Sequence, residues 1–273
     1  MFEMICLGLS VGVLSGFFGI GGGTILVPAL LLIGYGIKDA VGISVVQMVF
    51  SSVYGSYLNN KKGNLDIPMV INIALGGFIG ALFSGYITNY FSSQVLEYIF
   101  LSFVTFALFR LFFKTKEHRD EKKLNKILLF AIGLFLGLIS MTIGVGGSIL
   151  LVPILVGFLH IPLKKAISAG LFFVVFSSIS GFISHSISGN INYMDGLIIG
   201  AISLVGVYIG ILFKDKIDVD LHKKILIAFY LSVLIFLVQR VIIYHPKKSR
   251  QLFKNSYSIS TSLPYETFSS SLT

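Results

Sequence analysis

The sequence predicts an all-α, polytopic membrane protein of 8–10 helical segments, arranged as two homologous repeats that each contain a Gly-rich broken or re-entrant helix. Three observations predict this class: an apolar composition, apolar runs of membrane-spanning length, and an internal duplication. The 273 residues are 55% hydrophobic and 12% charged, with a mean hydropathy of +0.91, whereas soluble domains carry about 25% charged residues. Such a chain has too much apolar surface to fold in water.

Apolar runs follow one another at the length needed to cross a bilayer. A hydrocarbon core about 30 Å thick requires about 20 apolar residues of α-helix, and the stretches 67–96 and 127–159 contain no Asp, Glu, Lys or Arg. We predict ten apolar segments, at 3–20, 24–34, 37–58, 65–88, 93–113, 126–143, 148–159, 163–185, 193–213 and 220–243.

Polar sequence divides these segments into five and five. We assign 1–113 to a first membrane repeat, 114–125 to a hydrophilic loop, 126–246 to a second membrane repeat, and 247–273 to a polar, Ser-rich tail that we expect to be disordered. Short loops rich in Lys and Arg stay in the cytoplasm. The loop 114–125, with the sequence KTKEHRDEKKLN, is therefore predicted to be cytoplasmic.

The two halves of the chain are similar in sequence. At an offset of 125, residues 8–33 pair with 133–158 and eleven of the 26 pairs are identical; at an offset of 126, residues 38–64 pair with 164–190 with nine identities in 27 pairs. The identities include Gly, Pro, Ser and Asn, which chance matches between apolar segments do not readily produce. The chain is therefore predicted to be an internal duplication, as in many secondary transporters.

The relative orientation of the repeats has two solutions. If the second segment of each half crosses fully, each half has five spans and the repeats are inverted. If the first two segments form one broken or re-entrant element, each half has four spans and the repeats are parallel. The first layout places six basic residues of the second half in the cytoplasm and the second layout places five, so the positive-inside rule leaves both open.

A glycine cluster interrupts each half at the same position. GFFGIGGGTILVP occupies 16–28 and MTIGVGGSILLVP occupies 141–153. Irregular backbone in a membrane survives only where it is buried in protein or lines a cavity. The short helices that follow would begin inside the membrane, with Thr24 and Ser148 at N-cap positions and free N–H groups facing the break. Because the N-terminal end of a helix binds anions, we predict a small-anion site there.

The predicted substrate-binding residues come from the two breaks and from the third segment of each half. Polar side chains there recur at helical spacing, although serine in a membrane helix also bonds to its own backbone. Gln47 is matched by Phe173, so we expect a chemically asymmetric site. The set is Gly19, Gly21, Gly22, Gly23, Thr24, Gln47, Ser51, Gly144, Gly146, Gly147, Ser148 and Ser177, with Pro28 and Pro153 as structural helix breaks.

The sequence does not support nucleic-acid binding, a disulfide, catalysis or metal binding. Basic residues cluster in short segments between apolar runs, as orientation signals do, so the formal charge of +9 does not indicate nucleic-acid binding. One cysteine, Cys6, excludes an intramolecular disulfide. The apolar segments lack clustered His, Asp, Glu or Cys, so we predict no catalytic residues, metal or cofactor.

The duplicated motif G-x-G-G-[GS]-x-x-x-V-P, at Gly19–Pro28 and Gly144–Pro153, resembles the sulfite exporter TauE/SafE family, also called the 4-toluene sulfonate uptake permease family. The resemblance covers about residues 5–243. It implies a multi-pass inner-membrane transporter of small sulfur-containing anions, such as sulfite or organosulfonates. Ser148 stands where the first copy has Gly23, which leaves open whether both breaks bind equally.

Three functions follow from these observations. The first is a transporter of small anions that works by alternating access at a midplane site between the repeats. A passive anion channel is the second, and a membrane-embedded enzyme is the least supported. The expected partners are a small anionic solute and the lipid bilayer, and the oligomeric state stays open, a homo-oligomer included.

Overall fold

A computed structural model describes residues 2–112 and 125–240. The predictions for loop residues 114–124 and for the tail 247–273 lie outside the described residues. The described chain forms eleven α-helices: α1 (Phe2–Phe18), α2 (Gly23–Ile33), α3 (Ile37–Lys61), α4 (Ile67–Ala81), α5 (Ser84–Tyr90), α6 (Ser93–Phe112), α7 (Lys126–Thr142), α8 (Ser148–Phe158), α9 (Leu163–Ile187), α10 (Tyr193–Lys216) and α11 (Val219–Gln239).

The ten predicted segments correspond to eleven helices in the described residues, because segment 65–88 is split into two helices. Its two parts, α4 and α5, meet at a bend of 41°. The Ser84 hydroxyl donates a 2.7 Å hydrogen bond to the carbonyl oxygen of Ala81, and the Phe83 N–H bonds back to Gly80 at 3.3 Å. A serine that bonds to its own helix backbone bends the helix, and this contact accounts for the break without a proline.

The helices have the length and surface of membrane spans. Four of them, α3, α9, α10 and α11, are each long and apolar enough to cross a bilayer, and the bent pair α4–α5 makes a fifth. Large apolar side chains such as Phe109, Ile127 and Ile187 are exposed on the outside of the bundle. An apolar exterior of this kind suits lipid rather than water.

Glycine contacts fix the relative directions of the longer helices. Gly8, Gly12 and Gly16 of α1 lie against Ile199, Ser203 and Val207 of α10, in the same order along both helices, so α1 and α10 run parallel. Successive contacts likewise place α3 parallel to α10, and α4 parallel to both α7 and α9. Small residues permit this close approach between helices in a membrane.

Helices α3 and α9 cross at the centre of the bundle and run antiparallel. Gly42 lies beside Asn190, Ser52 lies 3.4 Å from Ser178 between hydroxyl oxygens, and Asn59 accepts from Ser168. Because α1 and α3 run in the same direction, the segment containing α2 must bring the chain back between them. By the same argument, α8 returns the chain between α7 and α9.

Polar contacts join the helix ends on the two faces of the bundle. On one face, which we call the Lys-rich face, α3 and α10 end and α9 and α11 begin. On the opposite face the Tyr35 hydroxyl donates a 2.9 Å hydrogen bond to Asp195. Burial is the larger cause and this hydrogen bond the second cause that raise the pKa of Tyr35. There Arg240 also lies 3.4 Å from Glu97 and donates to the carbonyl oxygen of Leu31 at 2.8 Å.

Candidate functional site

The two glycine breaks have the same backbone conformation. Gly19, Gly21 and Gly22 have φ of 70°, 74° and 84°; Gly144, Gly146 and Gly147 have φ of 71°, 85° and 72°. This left-handed region costs an L-residue free energy because its Cβ meets the following carbonyl oxygen. Glycine has no Cβ, so each break can double back between two helices inside an apolar bundle.

The short helices α2 and α8 begin directly after the breaks. Their N-caps are Gly22 and Gly147, and neither cap has a side-chain hydrogen bond. The predicted caps Thr24 and Ser148 are therefore wrong, since both residues already lie inside their helices. The first-turn N–H groups of a helix have no acceptor within the helix, so each break receives the positive end of a helix dipole.

The prolines predicted as helix breaks, Pro28 and Pro153, are also corrected. Each is the sixth residue of an uninterrupted helix, α2 or α8. A proline ring fixes φ near the helical value, and its missing N–H affects only the carbonyl four residues earlier. In these helices that carbonyl lies in the first turn, so the helix continues and the glycines alone form the break.

The breaks from the two halves are in contact with each other. A Cβ on Gly23 would collide with the carbonyl oxygen of Gly144. The Thr24 hydroxyl donates to the carbonyl oxygen of Val145 at 3.5 Å, and the Ser44 hydroxyl donates to Gly144 at 2.7 Å. The structure therefore brings the glycine positions predicted from both halves together at one buried place.

Helix α3 places the side-chain amide of Gln47 beside the first glycine break. Both polar atoms of the Gln47 side chain are buried without a hydrogen-bond partner among the described residues, and a Cβ on Gly22 would lie 2.5 Å from Gln47 Oε1. An amide carries two donors and two acceptor lone pairs. Leaving them unpaired in a buried site costs about 1–3 kcal/mol per group.

The second half differs at the corresponding position. The ring of Phe173 lies against Gly147, so an apolar side chain fills the space that Gln47 fills in the first half. Ser148, at the start of α8, has a buried hydroxyl without a partner among the described residues. The two breaks therefore share a backbone conformation but not a chemistry.

The remaining predicted serines bond to backbone. Ser51 donates to the carbonyl oxygen of Gly21 at 3.1 Å and so touches the first break. Ser177 instead donates to Phe173 in its own helix at 3.1 Å. Two further serines of α9, outside the predicted set, contact the neighbouring helices: Ser180 donates to the carbonyl oxygen of Phe78 in α4, and the Ser184 hydroxyl accepts from the Gly85 N–H in α5.

All of the predicted glycine, threonine, serine and glutamine positions are buried. The breaks are therefore enclosed by the surrounding helices. Within residues 2–112 and 125–240, no group of three or more His, Cys, Asp or Glu is placed to hold a metal ion.

Sequence analysis missed two polar clusters away from the breaks. Glu97, at the start of α6, is buried and forms an ion pair with Arg240. Lys214, at the end of α10, is fully buried and donates to Asn59. Both charges lie near the ends of apolar segments, where residues usually extend towards water, and only their contacts in space distinguish them from surface residues.

The fold and the buried breaks define a class of protein: a multi-pass helical membrane protein with two discontinuous segments meeting at its centre. Comparison with known proteins then identifies the family. Residues 4–237 match the sulfite exporter TauE/SafE family, and the chain therefore belongs to this family of membrane transporters.

Proteins similar to this chain are also named as probable membrane transporters. A probable membrane transporter protein of Methanocaldococcus jannaschii is 28% identical over 81% of this chain and 86% of its own. The probable membrane transporter protein YunE of Bacillus subtilis is 23% identical over 88% and 96%. A probable membrane transporter protein of Haemophilus influenzae is 30% identical over 69% and 76%. No solved structure gives a significant match.

Proposed function

We propose that this chain carries a small anion, a sulfur oxyanion such as sulfite or an organosulfonate, across the inner membrane. The observation that carries the proposal is the Gln47 amide, buried without a partner beside the N-terminal end of α2. An anion there would accept from first-turn N–H groups and from the Gln47 side chain. Sulfur oxyanions present several acceptor oxygens, which suits a site made of donors.

The other predicted residues would serve this site in different ways. Gly19, Gly21 and Gly22 give the backbone its turn, and Ser51 holds Gly21 in place through its hydrogen bond. Gly23 begins α2 and leaves room for the carbonyl oxygen of Gly144. Thr24 ties the first break to the second. Gly144, Gly146, Gly147 and Ser148 form the matching second break, which contributes its own helix end, while Ser177 bonds within its helix and supports the site only indirectly.

We also propose that the two halves are inverted repeats and that transport proceeds by their relative movement. The antiparallel crossing of α3 and α9 supports this layout, because these helices occupy equivalent places in the sequence alignment of the halves. With α2 and α8 each returning the chain, and the bent pair α4–α5 counted as one, each half has five segments within residues 2–112 and 125–240. Movement of one half against the other would then open the buried breaks to one side at a time.

The Lys-rich face is proposed to be the cytoplasmic face. Lys61, Lys164, Lys165 and Lys216 lie at helix ends on this face. The start of α6 lies near the end of α11, through Glu97 and Arg240, so α6 ends on the Lys-rich face, where α7 also begins. Positive loops stay in the cytoplasm.

Flux through proteoliposomes tests the proposal. Purified protein is reconstituted with a membrane potential or a pH gradient, and uptake of ³⁵S-sulfite is followed against potassium as a cation control. We expect sulfite accumulation in wild-type vesicles and a loss on the order of tenfold or more in Gln47→Leu, because each hydrogen bond to a charged ligand contributes about 1.5–3 kcal/mol. Gln94→Leu, at the exposed start of α6, is the matched control and keeps wild-type flux.

The same assay separates the alternatives. Sulfite that equilibrates but never accumulates against its gradient would indicate a passive channel. Wild-type flux in Gln47→Leu would remove the first break from the binding site. Conversion of the solute inside the vesicles would instead favour a membrane-embedded enzyme.

A further inference from the structure

One junction joins the second glycine break to helices of the first half. Gly23, which begins α2, and Ser44 of α3 both lie against Gly144, and the Ser44 hydroxyl donates to the carbonyl oxygen of Gly144 at 2.7 Å. All three residues are buried. We call Gly23, Ser44 and Gly144 the first junction, and its hydrogen bond is formed in this structure.

A second junction joins the first glycine break to helices of the second half. A Cβ on Gly170 of α9 would lie 3.0 Å from Ser148 Cβ and 3.2 Å from the carbonyl oxygen of Gly19, so these two groups border the same point. The Ser148 hydroxyl is buried and has no hydrogen-bond partner among the described residues. The second junction, made of Gly19, Ser148 and Gly170, therefore places a donor near a carbonyl oxygen without a bond between them.

The two junctions correspond position by position in the alignment of the halves. The pairs are Gly19 with Gly144, Gly23 with Ser148, and Ser44 with Gly170. In the first junction the long helix α3 carries the hydroxyl and the short helix α2 carries a glycine; in the second junction the short helix α8 carries the hydroxyl and the long helix α9 carries a glycine. Each junction thus has one hydroxyl, and the glycine opposite leaves room for it.

The junctions lie on opposite sides of the point where α3 and α9 cross. Ser52 and Ser178 mark this crossing, and Ser44 and Gly170 each precede it by eight residues. Eight residues of α-helix extend about 12 Å. Because α3 begins at the face opposite the Lys-rich face and α9 begins at the Lys-rich face, each junction lies between the crossing and a different face of the bundle.

We propose that the two junctions are alternating gates, each stabilised in its closed state by its own serine. The bond from Ser44 to Gly144 stabilises the gate towards the face opposite the Lys-rich face, and this gate is closed here. In the other end state, the Ser148 hydroxyl donates to the carbonyl oxygen of Gly19 and stabilises the gate towards the Lys-rich face. The inference rests on the proposed movement of inverted halves and names the groups that hold each end state.

The exchange of hydrogen bonds follows from the symmetry of inverted repeats. When such a protein changes the side to which it is open, its two halves exchange conformations, because the end states are related by the pseudo-twofold axis between them. The bond formed in the first junction is therefore expected in the second junction in the other end state, where the first is broken. A buried polar group without a partner costs free energy, so the formation of one bond as the other breaks keeps both end states accessible.

Cysteine accessibility reports which gate is open. In full-length protein without its own cysteine, Cys6→Ala, a single reporter is introduced as Val41→Cys beside Gly144 or as Ile167→Cys beside Gly19. Both positions are fully buried and correspond in the alignment of the halves. The rate of modification by a small charged methanethiosulfonate reagent is measured in nanodiscs, where both faces of the protein meet the solution. Thermal unfolding of every variant reports folding.

The two serines should shift the rates in opposite directions. We expect Ser44→Ala to raise the ratio of Val41→Cys modification to Ile167→Cys modification by about two- to tenfold, the effect of one buried hydrogen bond. Ser148→Ala should lower the same ratio by a similar factor. Ser203→Ala, whose buried hydroxyl bonds to a carbonyl oxygen of its own helix at 2.7 Å, is the control and keeps the wild-type ratio.

A double substitution provides the matched rescue. Ser148→Gly combined with Gly170→Ser gives the second junction the same residues as the first, with the hydroxyl on the long helix. The hydroxyl then reaches the carbonyl oxygen of Gly19 from α9, as Ser44 reaches its carbonyl from α3. We expect this variant to restore the wild-type ratio that Ser148→Ala lowers, which a merely structural role of Ser148 would not predict.

The outcomes separate the gates from the proposed function. Opposite shifts of the ratio in protein that takes up no sulfite would support the gates and overturn sulfite as the solute. Unchanged ratios, or shifts in the same direction, in folded variants of a protein that does take up sulfite would overturn the gates and leave the proposed transport standing. A lowered ratio that the double substitution does not restore would overturn the bond between Ser148 and Gly19.

Discussion

The side-chain hydroxyl of Ser44 donates a 2.7 Å hydrogen bond to the main-chain carbonyl oxygen of Gly144. Ser44 belongs to α3 in the first half of the chain, and Gly144 opens the glycine break of the second half. The bond therefore connects a helix from one half to the irregular backbone of the other, at a place where both partners are buried.

Removal of this hydroxyl tests its contribution to stability. Ser44→Ala leaves a buried carbonyl without this donor, so we expect a loss of about 1–3 kcal/mol in the free energy of unfolding and a lower thermal midpoint in detergent. Ser102→Ala, whose exposed hydroxyl bonds to Tyr98 in its own helix at 2.9 Å, should change stability by less than about 0.5 kcal/mol. Equal midpoints for the two variants would mean that the connection between the halves carries no stability.

The close contact between the two breaks predicts that a methyl group added at Gly23 would not fit. Gly23→Ala should impair sulfite uptake and destabilise the fold by about 1–3 kcal/mol, since its Cβ meets the carbonyl oxygen of Gly144. Helix propensity alone predicts the opposite sign, because alanine favours a helix over glycine by about 1 kcal/mol. Gly36→Ala, where only the Asp39 side chain is near, is the control. A stabilised and active Gly23→Ala protein would show that the breaks can separate freely.

The asymmetry between the halves predicts a gain of binding. Phe173→Gln places an amide beside Gly147, as Gln47 stands beside Gly22, and we expect calorimetry to find one sulfite site more than in the wild type. Phe172→Gln changes the neighbouring, partly buried ring and should add none. An unchanged stoichiometry in folded Phe173→Gln protein would mean that a helix end and an amide are together insufficient for binding.

The buried ion pair at the opposite face predicts a structural effect. Glu97→Gln removes the charge that faces Arg240 at 3.4 Å, and Arg240 also holds the end of α2 through the carbonyl oxygen of Leu31. Since Glu97 is almost fully buried and Arg240 is partly exposed, we expect a loss of about 1–3 kcal/mol in unfolding experiments. Asp220→Asn, at the exposed start of α11, should have little effect. A larger loss of stability in Asp220→Asn than in Glu97→Gln would show that the ion pair does not anchor α2.

Much of the fold follows from the sequence because its causes are local. Apolar length and glycine position predict α2, α3, α8 and α9 to within about three residues, since a membrane helix ends where its apolar run ends. The bend between α4 and α5 was not predictable, because it depends on which carbonyl the Ser84 hydroxyl selects. Hydropathy also places Lys214 at the surface, and only the meeting of three helix ends buries it.

The candidate site was predictable in position but not in detail. Repetition of the glycine pattern located both breaks, because only glycine tolerates left-handed backbone repeatedly. The sequence could not show that the Thr24 hydroxyl reaches Val145 in the other half instead of capping its own helix. That contact depends on how the two halves pack, because Val145 lies 121 residues after Thr24 along the chain.

The bend between α4 and α5 has a consequence for the resting state of the protein. When the offset of 126 is extended along the chain, the bent pair at residues 67–90 corresponds to residues 193–216, the continuous α10. A transporter built from two structurally identical halves would populate the states open to either side of the membrane equally. Under the proposed alternating-access mechanism, the bent α4–α5 pair and the straight α10 would give the two end states different energies, so the empty protein in a symmetric bilayer should favour one of them.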